Sequence, residues 1–461
     1  MSRDLEPEAR ELEHMFDIST EKLKEITEHF TKELTKGLSV DGGNIPMNPT
    51  WLMNKPTGYE QGTYLTLDMG GSKARVCQVT LKQKGQVENK QREFFIPKHI
   101  KTATANELWD YLAECVEAVV DKEGMLAKCQ NDGEHQDDTL RLAFTFSYPV
   151  TQDSINHGVL QRWTKGFDVK GVEGQNVVSQ LEEALRRKNV PVKVSVLIND
   201  TAGTLLASAY ADPDTQIGAI LGTGCNSAYV ETCNNIPKLQ HRNLAPDSPM
   251  IINCEYGAFD NEHCVLPRTK YDKLIDKESP RPGQQTYEKM TSGLYLGEIF
   301  RHAILDLHTR NQLFVGKQVP ALSQPYALDC LHLSEVDGNG SSSLQSVLQI
   351  SLEKHEMDLC QKLADLINAR AARLCACGLA AICKKKGLSS CVIGVDGSVM
   401  LKNDVLRGRT MKALGEILDW DAKSRQAGEK GTGDTPIRMH FVKDGSSEGA
   451  AIAAAIAAAQ A

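Results

Sequence analysis

Two apolar runs, each followed directly by polar residues, place the strongest constraint on how this chain can fold. The runs at 140–146 and 194–198 have the composition of buried strands; Ser147 follows the first, and Asn199 and Asp200 follow the second. In an open α/β sheet, ligands bind outside the carboxyl ends of the strands. The three polar residues are therefore expected to converge on one crevice. The loop between the runs carries two further polar residues that can reach it: Thr164 and Lys165.

The length and charge of the chain bound its class. A chain of 461 residues is too long for one simple core and suggests two or three domains. The formal net charge of -8 argues against a nucleic acid or an anionic membrane as a partner. The N-terminal residues lack the apolar core of a signal peptide, and no apolar run reads as long enough to cross a bilayer. We therefore expect a cytoplasmic protein.

The cysteines predict neither disulfides nor a metal site. The chain has 13 of them, an odd number, and none form a C-x-x-C pair. This pattern argues against a disulfide framework and against a structural zinc ion. Cys375 and Cys377 fall within a helical pattern, where they are expected to be small buried residues. We expect no metal held by protein side chains alone.

Apolar periodicity predicts an α/β chain. Helices are expected at 8–38 with a new start at Ser19 or Thr20, and at 105–121, 174–189, 201–211, 286–309 and 346–386, the last broken near Gly378. Alternating patterns around glycines predict β-hairpins at 63–81 and 217–231. Loops are expected at 128–138, 334–343 and 423–434, the last of them mobile.

Four strand–glycine turns carry the main chemical signal: DMGGSK, LGTGCN, VDGSV and KDGSSEG. Glycine allows close approach to backbone amides, and clustered amides bind anions. Each turn alone is more simply an ordinary tight hairpin, and Asp200 alone is more simply a helix N-cap. The four turns together with the converging polar residues favour a nucleotide phosphate site. The chain has no Walker A and no G-x-G-x-x-G pattern, which excludes the P-loop and Rossmann alternatives.

Longer motifs identify a family. FTFSYP, QRWTKGF, LINDTAGTL, GTGCNSAY, INCEYGAF, PRPGQQTYEKMTSGLYLGE and VDGSV closely resemble the fungal branch of the hexokinases, and the resemblance runs from about Leu12 to Ala455. It implies the two-lobed α/β fold of the actin-like ATPase (ribonuclease H-like) sugar kinases, with a deep interlobe cleft. The small lobe is then expected at 60–200, completed by the C-terminal strand and helix at 441–461. The large lobe is expected at 1–59 and 201–440.

The resemblance also implies the site. The family's glucose ligands match Ser147, Thr164, Lys165, Asn199, Asp200, Asn226, Glu255 and Glu288. Its phosphate loops match Asp68, Gly70, Gly71, Ser72 and Lys73 in the first turn and Gly222, Thr223 and Gly224 in the second. Its adenosine contacts match Gly293, Gly397, Ser398, Gly445 and Ser446.

The implied reaction is the ATP-dependent phosphorylation of glucose or a related hexose at its 6-hydroxyl, the first step of glycolysis. Asp200 would accept the hydroxyl proton as the oxygen attacks the γ-phosphorus, and Lys165 would offset phosphate charge. Mg²⁺ would be bound through the ATP oxygens, with Asp68 orienting it through water. The oligomeric state stays open.

Three departures from the family pattern fall on the ATP side. Lys73 replaces an asparagine, Glu93 stands where fungal relatives carry a lysine, and Glu448 stands where the family has a small or basic residue. We expect Lys73 and Glu93 to form a partly exposed ion pair, which would leave Glu448 uncompensated. Two hypotheses follow: an active hexokinase, or a hexokinase-like glucose-binding regulator or sensor with weak or no catalysis.

Overall fold

Two mixed β-sheets form the framework of the computed structural model, which describes residues 5–120, 140–431 and 435–460. The strands, in chain order, are β1 (Asn48–Pro49), β2 (Gly62–Met69), β3 (Lys73–Lys82), β4 (Gln86–Phe95), β5 (Leu140–Phe146), β6 (Val150–Ser154), β7 (His157–Leu160), β8 (Val192–Ile198), β9 (Thr215–Leu221), β10 (Cys225–Thr232), β11 (Pro249–Asn253), β12 (Cys391–Asp396) and β13 (Ile437–Phe441). The helices are α1 (Glu6–Phe16), α2 (Thr20–Ser39), α3 (Ala105–Val120), α4 (Val177–Arg187), α5 (Asp200–Ala211), α6 (Lys270–Glu278), α7 (Thr286–Thr291), α8 (Gly293–Thr309), α9 (Cys330–Asp337), α10 (Ser342–Leu348), α11 (Lys354–Lys386), α12 (Ser398–Lys402), α13 (Asp404–Ile417), α14 (Ala422–Lys430) and α15 (Gly445–Gln460).

The two large sheets share one topology. The first has the order β4-β3-β2-β5-β8, and the second has the order β11-β10-β9-β12-β13 with β1 added beside β11. In each, an antiparallel meander of three strands is followed along the chain by two strands that join in parallel. The two predicted hairpins, β2–β3 and β9–β10, are confirmed and occupy the same place in their sheets. The parallel edges are where the ends of β5, β8 and β12 can meet a ligand.

Local sequence accounts for most of these elements. Every residue of β5 except Arg141 is buried, as expected for a strand covered on both faces. Helix α2 begins after Ser19, whose side chain accepts the Lys22 amide at 3.2 Å, so the predicted start is confirmed. Cys375 and Cys377 are buried in α11, as predicted.

Helices α5 and α15 pack against each other between the sheets, among apolar residues of both. The crossing is close because it is made of glycines. A β-carbon on Gly203 would lie 2.9 Å from Cα of Ser446, and one on Gly449 would collide with the carbonyl of Gly203. This contact brings the N-termini of α5 and α15 to the same end of the two sheets.

The lobe boundaries stay a prediction, but the C-terminal strand needs a correction. Strand β13 pairs in parallel with β12 in the six-stranded sheet, whereas it was expected to complete the small lobe. Only the helix that follows, α15, packs against strands of the five-stranded sheet. The chain therefore passes from one sheet to the other at the turn between β13 and α15.

Two helix predictions were wrong in detail. The helix expected at 286–309 is two helices, because Ser292 is extended and the Gly293 amide donates to the carbonyl of Gly222 at 2.8 Å. The long helix begins at Lys354 and is continuous through Gly378. A β-carbon on Gly378 would lie 3.0 Å from the Tyr287 hydroxyl, so this glycine makes room for an aromatic ring and does not break the helix.

The predicted loops were only partly correct. Helix α9 extends to Asp337 and α10 begins at Ser342, inside the expected loop at 334–343. The expected mobile segment at 423–434 contains most of α14, which is capped by the side chain of Asp421; residues 432–434 lie outside the described residues. The loop predicted at 128–138 also lies outside the described residues.

Helix α11 corrects the expectation about membrane-crossing runs. By length and composition it is apolar enough to cross a bilayer, the one such helix among the residues described. However, 83% of its apolar window is buried inside the protein, as in the core helix of a globular fold.

Candidate active site

A cavity of about 250 Å³ opens between the two sheets at the carboxyl ends of β2, β5, β8 and β12. It brings together most of the residues singled out from the sequence. Those that line it are Asp68, Gly70, Gly71, Ser147, Thr164, Lys165, Asp200, Gly222, Thr223, Gly224, Asn226, Glu255, Glu288, Gly397, Ser398 and Ser446. We call this cavity the cleft.

Asp200 and Lys165 face each other in the cleft. Asp200 is the first residue of α5, and its Oδ1 accepts the Thr201 amide at 2.9 Å. Its other oxygen, Oδ2, lies 3.7 Å from Lys165 Nζ. Lys165 has a left-handed backbone with φ 55°, and its Nζ donates to the carbonyl of Ser147 at 2.8 Å. The carboxylate thus stands beside a cation in a position that a substrate hydroxyl can reach.

Glu255 is held by amide side chains. Its Oε1 accepts from Asn253 Nδ2 at 2.9 Å and from Asn226 Nδ2 at 3.1 Å, and its backbone N–H donates to Asn226 Oδ1 at 2.9 Å. Burial raises the pKa of the Glu255 carboxyl, while the bond from Asn253 and the charge of Lys165 oppose that rise. The carboxyl is therefore fixed in place with hydrogen-bonding capacity left for a ligand.

Glu288 comes from α7 on the far side of the cleft. Its Oε2 accepts the Cys225 amide at 3.0 Å, and its Oε1 lies 3.4 Å from Gln285 Nε2. Burial also raises the pKa of this carboxyl, and Lys165 is the largest opposing influence. Lys165 thus stands beside the carboxylate of Asp200 and acts by its charge on the carboxyls of Glu255 and Glu288.

The predicted residue Asn199 does not line the cleft. It is buried, and its side chain accepts the Ala202 amide at 3.0 Å, so it caps α5. The N-cap role considered for Asp200 belongs to Asn199 instead. Asn199 Nδ2 also donates to Thr201 Oγ1 at 2.7 Å, which fixes the helix start that carries Asp200.

The first glycine turn joins β2 to β3 and holds a buried carboxylate. Asp68 Oδ2 accepts from Arg75 Nη2 at 2.5 Å, from Arg75 Nε at 3.1 Å and from Ser446 Oγ at 3.0 Å. Arg75 also reaches Asp444 Oδ1 at 3.2 Å. The charge of Asp68 is the largest influence on the Arg75 guanidinium and raises its pKa. This network ties the β2–β3 hairpin to the turn that begins α15.

The second glycine turn is held against the start of α8. The Gly222 amide donates to the carbonyl of Gly224 at 2.9 Å, while the Gly222 carbonyl accepts the Gly293 amide at 2.8 Å. A β-carbon on Gly293 would lie 2.7 Å from a methyl of Val399. Gly293 thus contacts the turn through its backbone but does not itself line the cleft.

The last two glycine turns lead from a strand into a helix, so neither is the simple hairpin considered from the sequence. Gly397 has φ 103° and precedes α12, and Gly445 begins α15. Asp396 joins them, because its Oδ1 accepts the Gly397 amide at 2.6 Å and its Oδ2 accepts the Gly445 amide at 3.1 Å. Burial raises the pKa of Asp396 to about 6. The N-termini of α12 and α15 therefore both open on the cleft, which Ser398 and Ser446 line.

Some predicted residues lie beside the cleft, and some cleft residues were missed. Ser72, Lys73 and Gly445 are not among the lining residues, nor are Asn199 and Gly293. The lining residues that were not assigned from the sequence are Arg75, Ile220, Cys225, Gln285 and Asp396. Asp396 lies within the motif VDGSV, and Arg75 follows the motif DMGGSK by two residues, so charge at or next to such a turn was the available signal.

Two places in the described part of the chain offer carboxylate oxygens to a cation. Asp68 fits a magnesium ion bound through a nucleotide, because its three contacts all go to Oδ2 and leave Oδ1 for a water. A second group offers ligand atoms that all lie within 4.8 Å of one another: Glu278, Glu298 and His302. However, Arg301 Nη2 lies 2.5 Å from Glu298 Oε1 and 2.9 Å from His302 Nε2. A guanidinium already neutralises that second group.

Comparison with known proteins finds matches along nearly the whole chain. Two family profiles, both described as hexokinase, match residues 8–210 and 216–456. The chain is 50% identical to a hexokinase of Emericella nidulans, over 97% of this chain and 90% of that protein. It is 45% identical to a hexokinase of Kluyveromyces lactis, over 96% and 91% of the two chains.

A solved structure shares the fold. The hexokinase from Schistosoma mansoni complexed with glucose superposes with a TM-score of 0.86 at 30% identity, covering 98% of this chain and all of that one. The sequence resemblance and the predicted two-lobed sugar kinase fold are therefore both confirmed. The chain belongs to the hexokinase family.

Proposed function

We propose that this hexokinase transfers the γ-phosphate of ATP to the 6-hydroxyl of glucose or a related hexose, giving hexose 6-phosphate and ADP. The observation that carries the proposal is the placement of Asp200. It lines the same cleft as carboxyl and amide groups suited to sugar hydroxyls and glycine turns suited to phosphate.

The sugar would bind at the end of the cleft that holds Glu255, Glu288 and Asn226. Carboxylate oxygens accept from hydroxyls, and amides both donate and accept, so such a set can pair with hydroxyls around a ring. Glu288 is buried and Glu255 is half-buried, and both are already positioned by Asn253, Cys225 and their neighbours. Sugar binding therefore needs little further loss of side-chain conformational entropy at these two residues.

Asp200 is the proposed general base. Its Oδ2 is the oxygen nearer Lys165, and its Oδ1 is held by the Thr201 amide, which fixes the plane of the carboxylate. An ionised carboxylate in that position accepts the proton of the 6-hydroxyl as the oxygen attacks phosphorus. Lys165 Nζ stands beside this carboxylate and can move toward the transferring phosphate.

The phosphate chain of ATP is proposed to lie along Gly70–Gly71, Gly222–Gly224 and the N-termini of α12 and α15. Backbone amides and helix N-termini favour anions there, and Arg75 adds a fixed positive charge. Mg²⁺ bound with the nucleotide would supply further charge neutralisation, with Asp68 and Asp396 as the carboxylates placed to hold its waters.

The regulator alternative is not favoured by any of these observations. Every sugar-side residue is present, and two of the three altered ATP-side residues, Lys73 and Glu93, lie 2.6 Å apart and offset each other. The test is a coupled assay on the purified protein with Mg²⁺, ATP and a panel of hexoses. Hexose-dependent ADP formation supports the proposal, whereas glucose binding by calorimetry without turnover would support the regulator.

A cytoplasmic location is also proposed. The cysteines within the described part of the chain are free, and most are buried, which suits a reducing compartment. Fractionation of cells that express the chain would test this, with recovery in the soluble cytosolic fraction as the expected result.

A further inference from the structure

A chain of polar contacts connects the two loops that carry substrate residues, outside the cleft itself. One loop follows β7 and holds Trp163, Thr164 and Lys165; the other lies between α6 and α7 and leads to Glu288. Glu173 Oε1 accepts the Trp163 amide at 2.6 Å and also accepts from Arg281 Nη2 at 2.9 Å. One carboxylate oxygen thus binds both loops at once.

The contacts continue from Arg281 to the base of Glu288. The backbone carbonyl of Arg281 accepts from Lys289 Nζ at 2.9 Å, and Lys289 is the neighbour of Glu288 in α7. Lys289 Nζ also lies 2.8 Å from Asp276 Oδ1, and Asp276 accepts the Gly283 amide at 3.0 Å. The loop that carries Arg281 is therefore fixed to the same helix as Glu288.

The backbone around Arg281 is restricted by its sequence. Pro280 and Pro282 flank it, so few backbone conformations are open to this position in the free loop. The Arg281 and Glu173 side chains are 33% and 42% exposed, so the pair sits at the surface, where it can form and break. The bond from Trp163 and the charge of Arg281 outweigh partial burial and lower the pKa of Glu173, so the carboxylate is ionised at neutral pH.

We infer that Glu173 and Arg281 form a latch between the two substrate loops, and that the latch raises affinity for the sugar by favouring the arrangement in which Lys165 and Glu288 face the same ligand. The two residues touch no reacting atom, so they are positioning residues. The inference rests on the proposed sugar roles of Lys165 and Glu288. It adds that the loops belong to different predicted lobes and are joined by an ion pair that substrate binding can stabilise.

Two substitutions isolate the latch. Glu173→Gln keeps an oxygen for the Trp163 amide but removes the charge that Arg281 binds, and Arg281→Met removes the guanidinium but leaves the backbone carbonyl that Lys289 needs. Each is expected to raise the KM for glucose about two- to five-fold, the range for an exposed ion pair, while kcat and the KM for ATP change less. Arg281→Lys keeps the charge and should recover part of the affinity.

The double variant gives the decisive comparison. If the pair acts as one unit, Glu173→Gln combined with Arg281→Met should be no worse than either single variant, because no ion pair is left to remove. Glucose is uncharged, so calorimetric binding at low and high salt reports charges within the protein. Wild-type affinity should fall with salt more than that of Glu173→Gln. The matched control is Glu114→Gln, which breaks the exposed Lys188–Glu114 ion pair outside the cleft. It should leave the glucose affinity and its salt dependence unchanged.

Additive effects of the two changes, an unchanged KM for glucose, or a loss confined to kcat would each overturn the latch. The wild-type protein is measured in the same assay. If it fails to phosphorylate glucose, the proposed function fails, and calorimetric glucose binding by the four proteins still decides for or against the latch.

Discussion

Lys73 Nζ lies 2.6 Å from Glu93 Oε2, across the antiparallel pair formed by β3 and β4. The ion pair predicted from the sequence is therefore confirmed. It joins two of the three residues that depart from the family's ATP-side pattern, and both side chains are more than a third exposed. Lys73 Nζ also stands 5.0 Å from the ring centre of Phe95, so its cation is directed along β4 and is not part of the cleft lining.

Breaking this pair is expected to release a cation beside the first phosphate turn. Glu93→Gln should lower the KM for ATP, because the freed Lys73 can reach the nucleotide, and the gain should disappear at high salt. The cost in unfolding free energy should be at most about 1 kcal/mol, as for other exposed pairs. Initial rates at low and high salt test this. A KM that rises, or a gain that survives high salt, would show that Lys73 does not act through its charge.

Glu448 is the uncompensated departure, and its environment predicts a pH effect. It lies in the first turn of α15, and burial, followed by the charges of Asp444 and Asp396, raises its pKa to about 7. Because the pKa of Glu448 is higher in the folded than in the unfolded protein, its favourable contribution to the free energy of unfolding is fully present at low pH. That contribution is lost as the pH rises from about 4.5 through about 7. Glu448→Gln should remove this loss. Its Tm advantage over the wild type is expected to grow between about pH 5 and about pH 8.

The same residue predicts a change in nucleotide affinity. Above about pH 7, ionised Glu448 adds a negative charge near the phosphate end of the cleft, so Glu448→Gln should lower the KM for ATP there and leave the KM for glucose unchanged. At about pH 6 the two proteins should differ less, because Glu448 is then mostly protonated. Titration of ATP itself affects both proteins alike. Equal KM values at every pH would mean that the Glu448 charge does not reach the nucleotide.

Closure of the cleft is the test of the predicted lobes. Substrate residues come from both sheets, since Ser147 follows β5 in one and Asn226 lies in β10 of the other. A sugar that contacts both should draw them together and exclude water that would otherwise accept the phosphate. Small-angle X-ray scattering should show a smaller radius of gyration with saturating glucose. No change would count against lobes that move as separate bodies.

The sequence was most informative where local patterns and the family motifs agree. Strands β5 and β8 begin and end within a residue or two of the predicted positions. Of the polar residues after them, Ser147 and Asp200 reach the cleft, whereas Asn199 caps α5. These two strands were predictable because each is an apolar run of strand length with turn residues beside it. The individual roles assigned to the cleft residues remain predictions that the experiments above can decide.

The errors arose where tertiary contacts override local preference. The Ser292-Gly293 pair is only a weak local turn signal, and the break depends on the Gly293 amide reaching the Gly222 carbonyl about 70 residues away in sequence. Gly378 reads as a helix breaker until the tyrosine that packs over it is known. The role proposed for Glu173 could not be predicted from the sequence either, because its partner Arg281 lies on a loop that only the fold brings near Glu173.

The central claim is that Asp200 is the base that accepts the sugar hydroxyl proton, and Asp200→Asn tests it most directly. The amide keeps the size of the side chain and an oxygen for the Thr201 amide, so α5 should begin as before and glucose should still bind by calorimetry. The account predicts a fall in kcat of about 10²-fold or more in the coupled assay with glucose and ATP, without unfolding. A variant that binds glucose and retains more than about a tenth of the wild-type kcat would contradict it.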